Sequence, residues 1–402
     1  MANKAFKFRL YPNQEQEVLL SKTFGCVRFV YNRWLDRKIK QYEENKTTVT
    51  YTMCAGEMAE LKNEEGYTFL KEVDSIALQQ ALRHLDTAFQ NFFHLPQTGF
   101  PRFKSKKSNR NSYSTVCVNG NINIADGFLK LPKIGRVKVK MHRVIPEGYI
   151  LKSVTISKTP CGKYYASILY AYELNTVEKK IARYLGMDYS MHELYIDSNG
   201  NEPEYPGYYR QAEKKLKREQ RKLSLMQKGS NNRTKQRIKV ARLHEKIANQ
   251  RKDFLHKQSR QITNGYDCVC VEDLDMKKMS QTMKFGKSIS DNGWGMFVSF
   301  LQYKLAEQGK KLVKVDRYYA SSQICSHCGY VNEEVKNLSV RQWICPDCGA
   351  HHDRDINAAI NIRNEGMRIV SAEYIEKQRM NRGAHGDSSL MLSTLVLSNE
   401  NR

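Results

Sequence analysis

The chain has 402 residues, 40% of them hydrophobic, which is enough to fill the cores of two or three domains and excludes a wholly disordered polyelectrolyte. Its 66 Lys and Arg outnumber 42 Asp and Glu, and a formal charge of +24 points to a polyanionic partner, nucleic acid first, because each cation set on a phosphate releases a counterion. No apolar run approaches the roughly 18 residues of a membrane span and MANKAFKFRLYP lacks a signal-peptide core, so a cytoplasmic protein without a membrane partner is expected.

Lys4 to Leu10, KAFKFRL, reads as a short basic strand closed by Tyr11-Pro12. The period then becomes helical. Val27, Val30, Tyr31, Trp34 and Leu35 share one apolar face, and Leu78, Leu82, Leu85, Phe89 and Phe92 share another behind a cap at Asp74, so residues 12–98 are expected to be a helical module. In PRFKSKKSNRNSY, Arg102, Lys104, Lys106, Lys107 and Arg110 surround Phe103, a mixture that suits a phosphate backbone and, nearly as well, a solvated linker. From Tyr113 to about Glu173 the alternation has period two, as in NINIADGFLKL, RVKVKMH and SVTISKTPCGKYYASILYAY, which predicts an antiparallel sheet forming a small barrel.

A new unit begins near Ala182 with RYLGMDYSMHELYIDSNG, two strands and a turn. Basic helices over Lys214 to Met226 and Lys235 to Ile262 come next, then the strand CVCVEDL and a polar loop around Lys277 to Asp291. A helix from about Met296 to Gln308 leads into the strand KKLVKVD. DRDINAAINIRNEGM is helical, and from about Ser371 no period is clear, so the tail is expected to be disordered.

Cys325-Ser-His-Cys328 and Cys345-Pro-Asp-Cys348 are two knuckles with two-residue gaps, each followed by Gly329 or Gly349. Such spacing lets both thiolates of a knuckle reach one ion, and four cysteines close a tetrahedral zinc site, so one structural zinc with no part in chemistry is expected. His327, His351 and His352 are competing ligands nearby. The remaining six cysteines, Cys26, Cys54, Cys117, Cys161, Cys268 and Cys270, are scattered as in a reducing compartment, and the last two alternate along an apolar strand as core thiols.

Phosphodiester hydrolysis with paired magnesium ions needs several carboxylates on a rigid frame, since two hard cations must sit roughly 4 Å apart with open positions for substrate. Asp188 lies inside the strand YLGMDYSM, Glu272 ends the strand CVCVE, and Asp355 opens the helix DINAAINI. In a sheet of the ribonuclease H type the first and fourth strands are neighbours, so Asp188 and Glu272 can converge, and a helix starting at Asp355 brings the third. Each alone could equally be a solvent-facing strand end or a helix cap. Their joint order, strand then strand then helix, carries the reading, with Asp273, Asp353 and His192 as decoys.

GMDYSMHELYIDSNG, VEDLDMKKM, SSQICSHCG, ICPDCG and HDRDINAAINI, with KAFKFRLYPNQEQ and PRFKSKK near the start, together resemble the TnpB family, the transposon-encoded relatives of type V CRISPR effectors. Tyr189-Ser190-Met191 after the first aspartate departs from the family's usual small or aliphatic residues. The resemblance implies an α+β multidomain protein: a first wedge strand over 1–11, a helical recognition domain over 12–98 and a wedge β-barrel over 99–180. A ribonuclease H-like RuvC nuclease over 181–319 and 351–370 would follow, interrupted by a zinc ribbon over 320–350 and ending in a tail over 371–402. It implies Asp188, Glu272 and Asp355 as catalytic and magnesium-binding residues, two Mg2+, one Zn2+ on Cys325, Cys328, Cys345 and Cys348, and a prokaryotic cytoplasm or nucleoid. The partners implied are a guide RNA from the transposon end and target double-stranded DNA bearing a short adjacent motif, with one protein monomer per RNA. Arg102, Lys104, Lys106, Lys107 and Arg341 are candidates for nucleic-acid contact, Arg341 at the scissile phosphate because a guanidinium grips phosphate bidentately.

The rivals are a cleavage-deficient RNA-guided regulator, a strand-joining transposase and a zinc-ribbon DNA-binding protein with a degenerate domain. Loss of a carboxylate would mark the first, and none is missing; the second needs a His-hydrophobic-His pair that the chain lacks. Magnesium-dependent cleavage separates the third.

Overall fold

A computed structural model of the chain describes residues 1–96, 98–108, 111–174, 176–282 and 286–384. Two compact units divide it, residues 1–175 with 216–245 and residues 176–215 with 246–402. Among the described residues no helix is long and apolar enough to cross a membrane.

In the first unit β1 (Ala2–Tyr11) leads into α1 (Gln14–Asn45), α2 (Tyr51–Leu61) and α3 (Ser75–His94). Helix α1 starts where Asn13 and Gln16 satisfy each other's backbone amides in a capping box. Helix α3 starts behind the expected Asp74, which accepts from the Ile76 amide at 2.9 Å and from the Thr115 hydroxyl at 2.5 Å. The expected apolar face of α1 is buried, as are Leu78, Leu82 and Leu85 of α3, while Phe89 and Phe92 are half-buried.

Strands β2 (Asn111–Val116), β3 (Asn123–Ala125), β4 (Phe128–Leu131), β5 (Gly135–Lys140), β6 (Ile150–Lys158) and β7 (Tyr164–Tyr172) join β1 in one antiparallel sheet. Its order is β2-β6-β7-β1-β5-β4-β3. The expected barrel is corrected here: the sheet curls as a half-barrel and stays open, with β2 and β3 as edges. The helices remove the need for closure. Leu20 and Trp34 of α1, Leu82 of α3 and Phe8, Val154 and Ile168 of the sheet share one core, which buries the inner face without a closed ring.

The second unit holds β8 (Tyr184–Ser190) and β9 (Leu194–Asp197), and the long helices α4 (Tyr208–Leu225) and α5 (Asn231–Gly265) contribute their residues outside 216–245 to it. After β10 (Cys268–Glu272), the segment expected as a polar loop instead forms α6 (Met276–Thr282) and α7 (Gly286–Asn292). Seven-residue helices are too short to display a period, and Asp275 caps the first by accepting from the Lys278 amide. Then follow α8 (Trp294–Ala306), β11 (Lys311–Val315), the small hairpin β12 (Gln342–Ile344) and β13 (His351–Asp353), and α9 (Arg354–Ala384). The tail expected to be disordered is therefore helical as far as Ala384, because SAEYIEKQRM supplies good helix formers without an apolar stripe. Its residues 385–402 lie outside the described residues.

The four strands order as β11-β10-β8-β9, with β10 parallel to both β8 and β11. The parallel neighbour of β8, β10, is thus the third strand of this sheet in chain order rather than the expected fourth. One face packs Leu185, Met187, Val269 and Val271 against Leu255 of α5 and Phe297, Leu301 and Leu305 of α8. The other packs Cys268, Cys270, Val313 and Val315 against Ile362 of α9, so the cysteines are core thiols as expected.

Two glycines let α9 lie on that second face. A Cβ on Gly186 of β8 would be driven into the Ala359 carbonyl and the Arg363 amide, and one on Gly366 of α9 into the Cys270 thiol. Gly186→Ala and Gly366→Ala are each expected to cost about 1–3 kcal/mol of stability, the overpacking strain outweighing any gain in helix propensity at Gly366. Gly25→Ala in α1, where a Cβ meets nothing within 4 Å, is the control expected to hold or raise the melting temperature. A thermal melt of the three variants checks this.

Candidate active site and metal centre

Strands β8 and β10 run parallel with Met187 opposite Val271, so the next residues, Asp188 in β8 and Glu272 at the end of β10, stand level where the pairing of the two strands stops. Both project to the face of Gly186 and Cys270, the face under α9, because side chains two apart share a face. The contact at Gly186 falls on Ala359, one helical turn beyond Asp355, and so sets the first turn of α9 over the strand ends. The structure sets the three expected carboxylates near enough for the charges of Glu272 and Asp355 to act on Asp188, while among the described residues only the four cysteines bring their ligand atoms within 4.8 Å of one another.

Their electrostatics reflect it. Burial, followed by the charges of Glu272 and Asp355, pushes Asp188 well above the ordinary carboxylate range, and the Arg354 guanidinium only partly offsets this. Burial raises Glu272 as well, opposed by the Ser321 hydroxyl, which donates to its Oε1 at 2.6 Å. A half-buried aspartate raised by two neighbouring carboxylates is what a divalent cation relieves, so the chemistry of the donor set fits hard oxygen-loving ions such as magnesium. The decoys separate cleanly. Asp273 faces Lys314 and Arg317, each at 2.9 Å, and Lys314 first, then Arg317, holds it below the usual range. Asp353 accepts from the amides of Asp355 and Ile356 and caps α9. His192 is exposed in the turn between β8 and β9.

The knuckles are near copies of each other. The Cys325 amide donates to the Tyr330 carbonyl and the Gly329 amide to the Cys325 carbonyl; Cys345, Ala350 and Gly349 repeat both bonds, with φ of +85° at Gly329 and +71° at Gly349. The four thiol sulfurs lie within 4.8 Å of one another, with Cys325 and Cys348 at 3.7 Å and Cys328 and Cys345 at 3.6 Å. Four sulfurs around one zinc at about 2.3 Å should stand roughly 3.8 Å apart, so the arrangement fits that ion. His352 approaches Cys325 Sγ at 3.0 Å, while the cluster itself is formed by the four cysteines. Trp343 and Val335 pack on Cys325 and Cys345 in a small separate core.

Three polar residues beside the carboxylates, Ser321 in SSQICSHCG and Asn357 and Asn361 in HDRDINAAINI, have partners that their motifs do not announce. Ser321 sits under Glu272, and Asn357 and Asn361 of α9 are 1% and 3% exposed with their amides bonded to backbone around the first knuckle. Asn357 and Asn361 share a helix face, but that spacing says nothing of partners so far along the chain.

Among the expected nucleic-acid contacts, Arg102, Lys106 and Lys107 are exposed, whereas Arg110 lies outside the described residues. Lys104 is engaged within the first unit, its Nζ 3.7 Å from the Tyr31 ring centroid and its backbone bonded both ways to the Asn32 side chain. Lys106 also lines a cleft of about 390 Å³ with Arg28, Lys158 and Arg237, three cations that sequence spacing did not group. Arg341 is exposed and pairs with Asp355 at 3.3 Å.

Residues 167–283 match a family described as a probable transposase, residues 294–362 the TNB domain of Cas12f1-like proteins, and residues 1–47 a helix-turn-helix domain. In this structure that last stretch is β1 and the single helix α1. A Streptomyces pristinaespiralis protein named "Putative RNA-guided DNA endonuclease" is 39% identical over 90% of this chain and 89% of its own. One from Escherichia coli K12, "Putative RNA-guided DNA endonuclease InsQ", is 32% identical over 94% and 96%. Among solved structures, the Cas12f1 chain of a cryo-EM Cas12f1-sgRNA-target DNA complex shares the fold, with a TM-score of 0.59 and 13% identity over 90% of this chain and 98% of that one.

Proposed function

From its membership of the TnpB family of transposon-encoded proteins, to which its full-length relatives and family matches assign it, we propose that this chain is an RNA-guided DNA endonuclease. The observation that carries the proposal is that Asp188 of β8, raised by burial and by the charges of Glu272 at the end of β10 and Asp355 at the start of α9, stands where a cation would relieve it. The second unit then acts as a RuvC nuclease of the ribonuclease H type, and the first as recognition and wedge elements. Magnesium held by the three carboxylates would supply polarisation of the scissile phosphate and a lowered pKa for the attacking water. Asp188 and Glu272 are fixed by the parallel strand pair, whereas Asp355 rides on the helix start. Arg341, paired with Asp355, would exchange that carboxylate for a phosphate oxygen, since a guanidinium binds either.

The cysteine cluster would hold one structural zinc and stay out of the chemistry, because four thiolates would leave it no open position. The +24 charge suits a protein that grips guide RNA and heteroduplex by backbone and shape while base pairing reads the sequence. One monomer per RNA, a transposon-end origin for the guide and recognition of a short adjacent motif belong to the same proposal. A cleavage-deficient regulator is disfavoured by the complete acidic set.

Protein purified from cells that also carry the transposon end is expected to retain an RNA from that end. Affinity for it should fall steeply with salt, on the order of a thousandfold between 50 and 200 mM if several phosphates are contacted. RNA-free protein that cuts any DNA equally well contradicts the guided reading. Sequencing the retained RNA decides between them.

A further inference from the structure

We propose that Ser321, anchored by Asn361, is a positioning residue that fixes the Glu272 carboxylate for divalent-ion binding. The inference rests on the reading of Glu272 as a metal ligand. Ser321 is 6% exposed, and its hydroxyl donates to Glu272 Oε1 at 2.6 Å, which leaves the other carboxylate oxygen to face a cation. Its own place is set from behind: Asn361 Nδ2 donates to the Ser321 carbonyl at 2.8 Å and to the Ile324 carbonyl at 2.6 Å. One turn earlier on α9, Asn357 donates to the same Ile324 carbonyl at 2.8 Å and accepts from the Ser326 amide at 3.0 Å.

Two buried amides on one helix face thus grip the main chain on both sides of Cys325, so the strap from Ser321 to Ser326 cannot move independently of α9. Buried amides are costly unless satisfied, and an apolar pair would pack the same space, so their pairing with backbone specifies where the strap lies. Glu272 ends its strand and, among the described residues, its side-chain hydrogen bond is the one from Ser321. Without that bond a flexible carboxylate must be ordered by the ion itself, which lowers affinity.

The test is Mn2+ binding to the full chain without nucleic acid, followed by electron paramagnetic resonance, with thermal melts alongside. Ser321→Ala is expected to weaken Mn2+ about tenfold at an unchanged melting temperature, and Ser321→Thr, which keeps the hydroxyl, to restore it. In a Glu272→Gln background Ser321→Ala should add no further loss, because both act on one group. If Glu272→Gln weakens Mn2+ while Ser321→Ala does not, the positioning role is wrong and the ligand reading survives. If Glu272→Gln leaves Mn2+ binding intact, the ligand reading fails and takes the positioning role with it.

Discussion

Asp188→Asn is expected to abolish cleavage, leave guided DNA binding intact and raise the melting temperature of the metal-free protein. The first two effects share a cause: the side chain removed is a cation ligand and carries the wrong charge to hold phosphate. Losing metal-held stabilisation of the transition state should slow cutting by about a thousandfold or more. The third follows from linkage. In the folded chain burial and the charges of Glu272 and Asp355 lift Asp188 above its unfolded value, so the folded state keeps a proton that the unfolded state has released. Stability from this residue is whole below about pH 3.9 and is lost as pH rises through the folded value, so that above it Asp188 is a net cost to the fold. An amide removes that cost, and magnesium should stabilise the wild type while doing little for the variant. Glu272→Ala and Asp355→Ala should lose cleavage alike.

Asp353 supplies the control. It caps α9 through two backbone amides, so Asp353→Ala should cost about 1 kcal/mol of stability and slow cleavage only mildly, and Asp353→Asn, which keeps an accepting oxygen, should cut nearly normally. Normal cutting by Asp355→Ala beside a dead Asp353→Asn would place the third ligand wrongly.

The second large effect concerns the cysteine cluster. Cys325→Ser or Cys345→Ser should remove about one equivalent of zinc per chain and unfold the ribbon locally, because Val335 and Trp343 alone are too small a core to persist without the ion. Trp343 reports the change by fluorescence. The loss should also reach the catalytic side, since Asn357 and Asn361 would then lose the backbone they hold. Unchanged zinc content and melting behaviour in both variants would refute the ribbon.

Much of this was legible because it rests on short-range chemistry. A strand that places an aspartate among Leu185, Gly186 and Met187, and a strand of four buried residues ending in Glu272, announce carboxylates on a buried sheet. Two knuckles with glycine behind each announce a metal. What escaped depends on partners distant in the chain. Closure of the first sheet was decided by helices that cover it, the identity of the strand beside β8 by which strands exist at all, and the amides of Asn357 and Asn361 by a strap whose position no period encodes. Helix α9 beyond Ser371 was missed for the opposite reason: propensity without amphipathicity leaves no stripe to read.

The central claim is tested most directly by exchanging guides. The protein is loaded with either of two guide RNAs and given both matching targets, in magnesium and in chelator. Each loaded protein is expected to cut only the target its RNA matches, only in magnesium, and not at all when Asp188 is asparagine. Cutting that ignores the guide, persists in chelator or survives Asp188→Asn would contradict it.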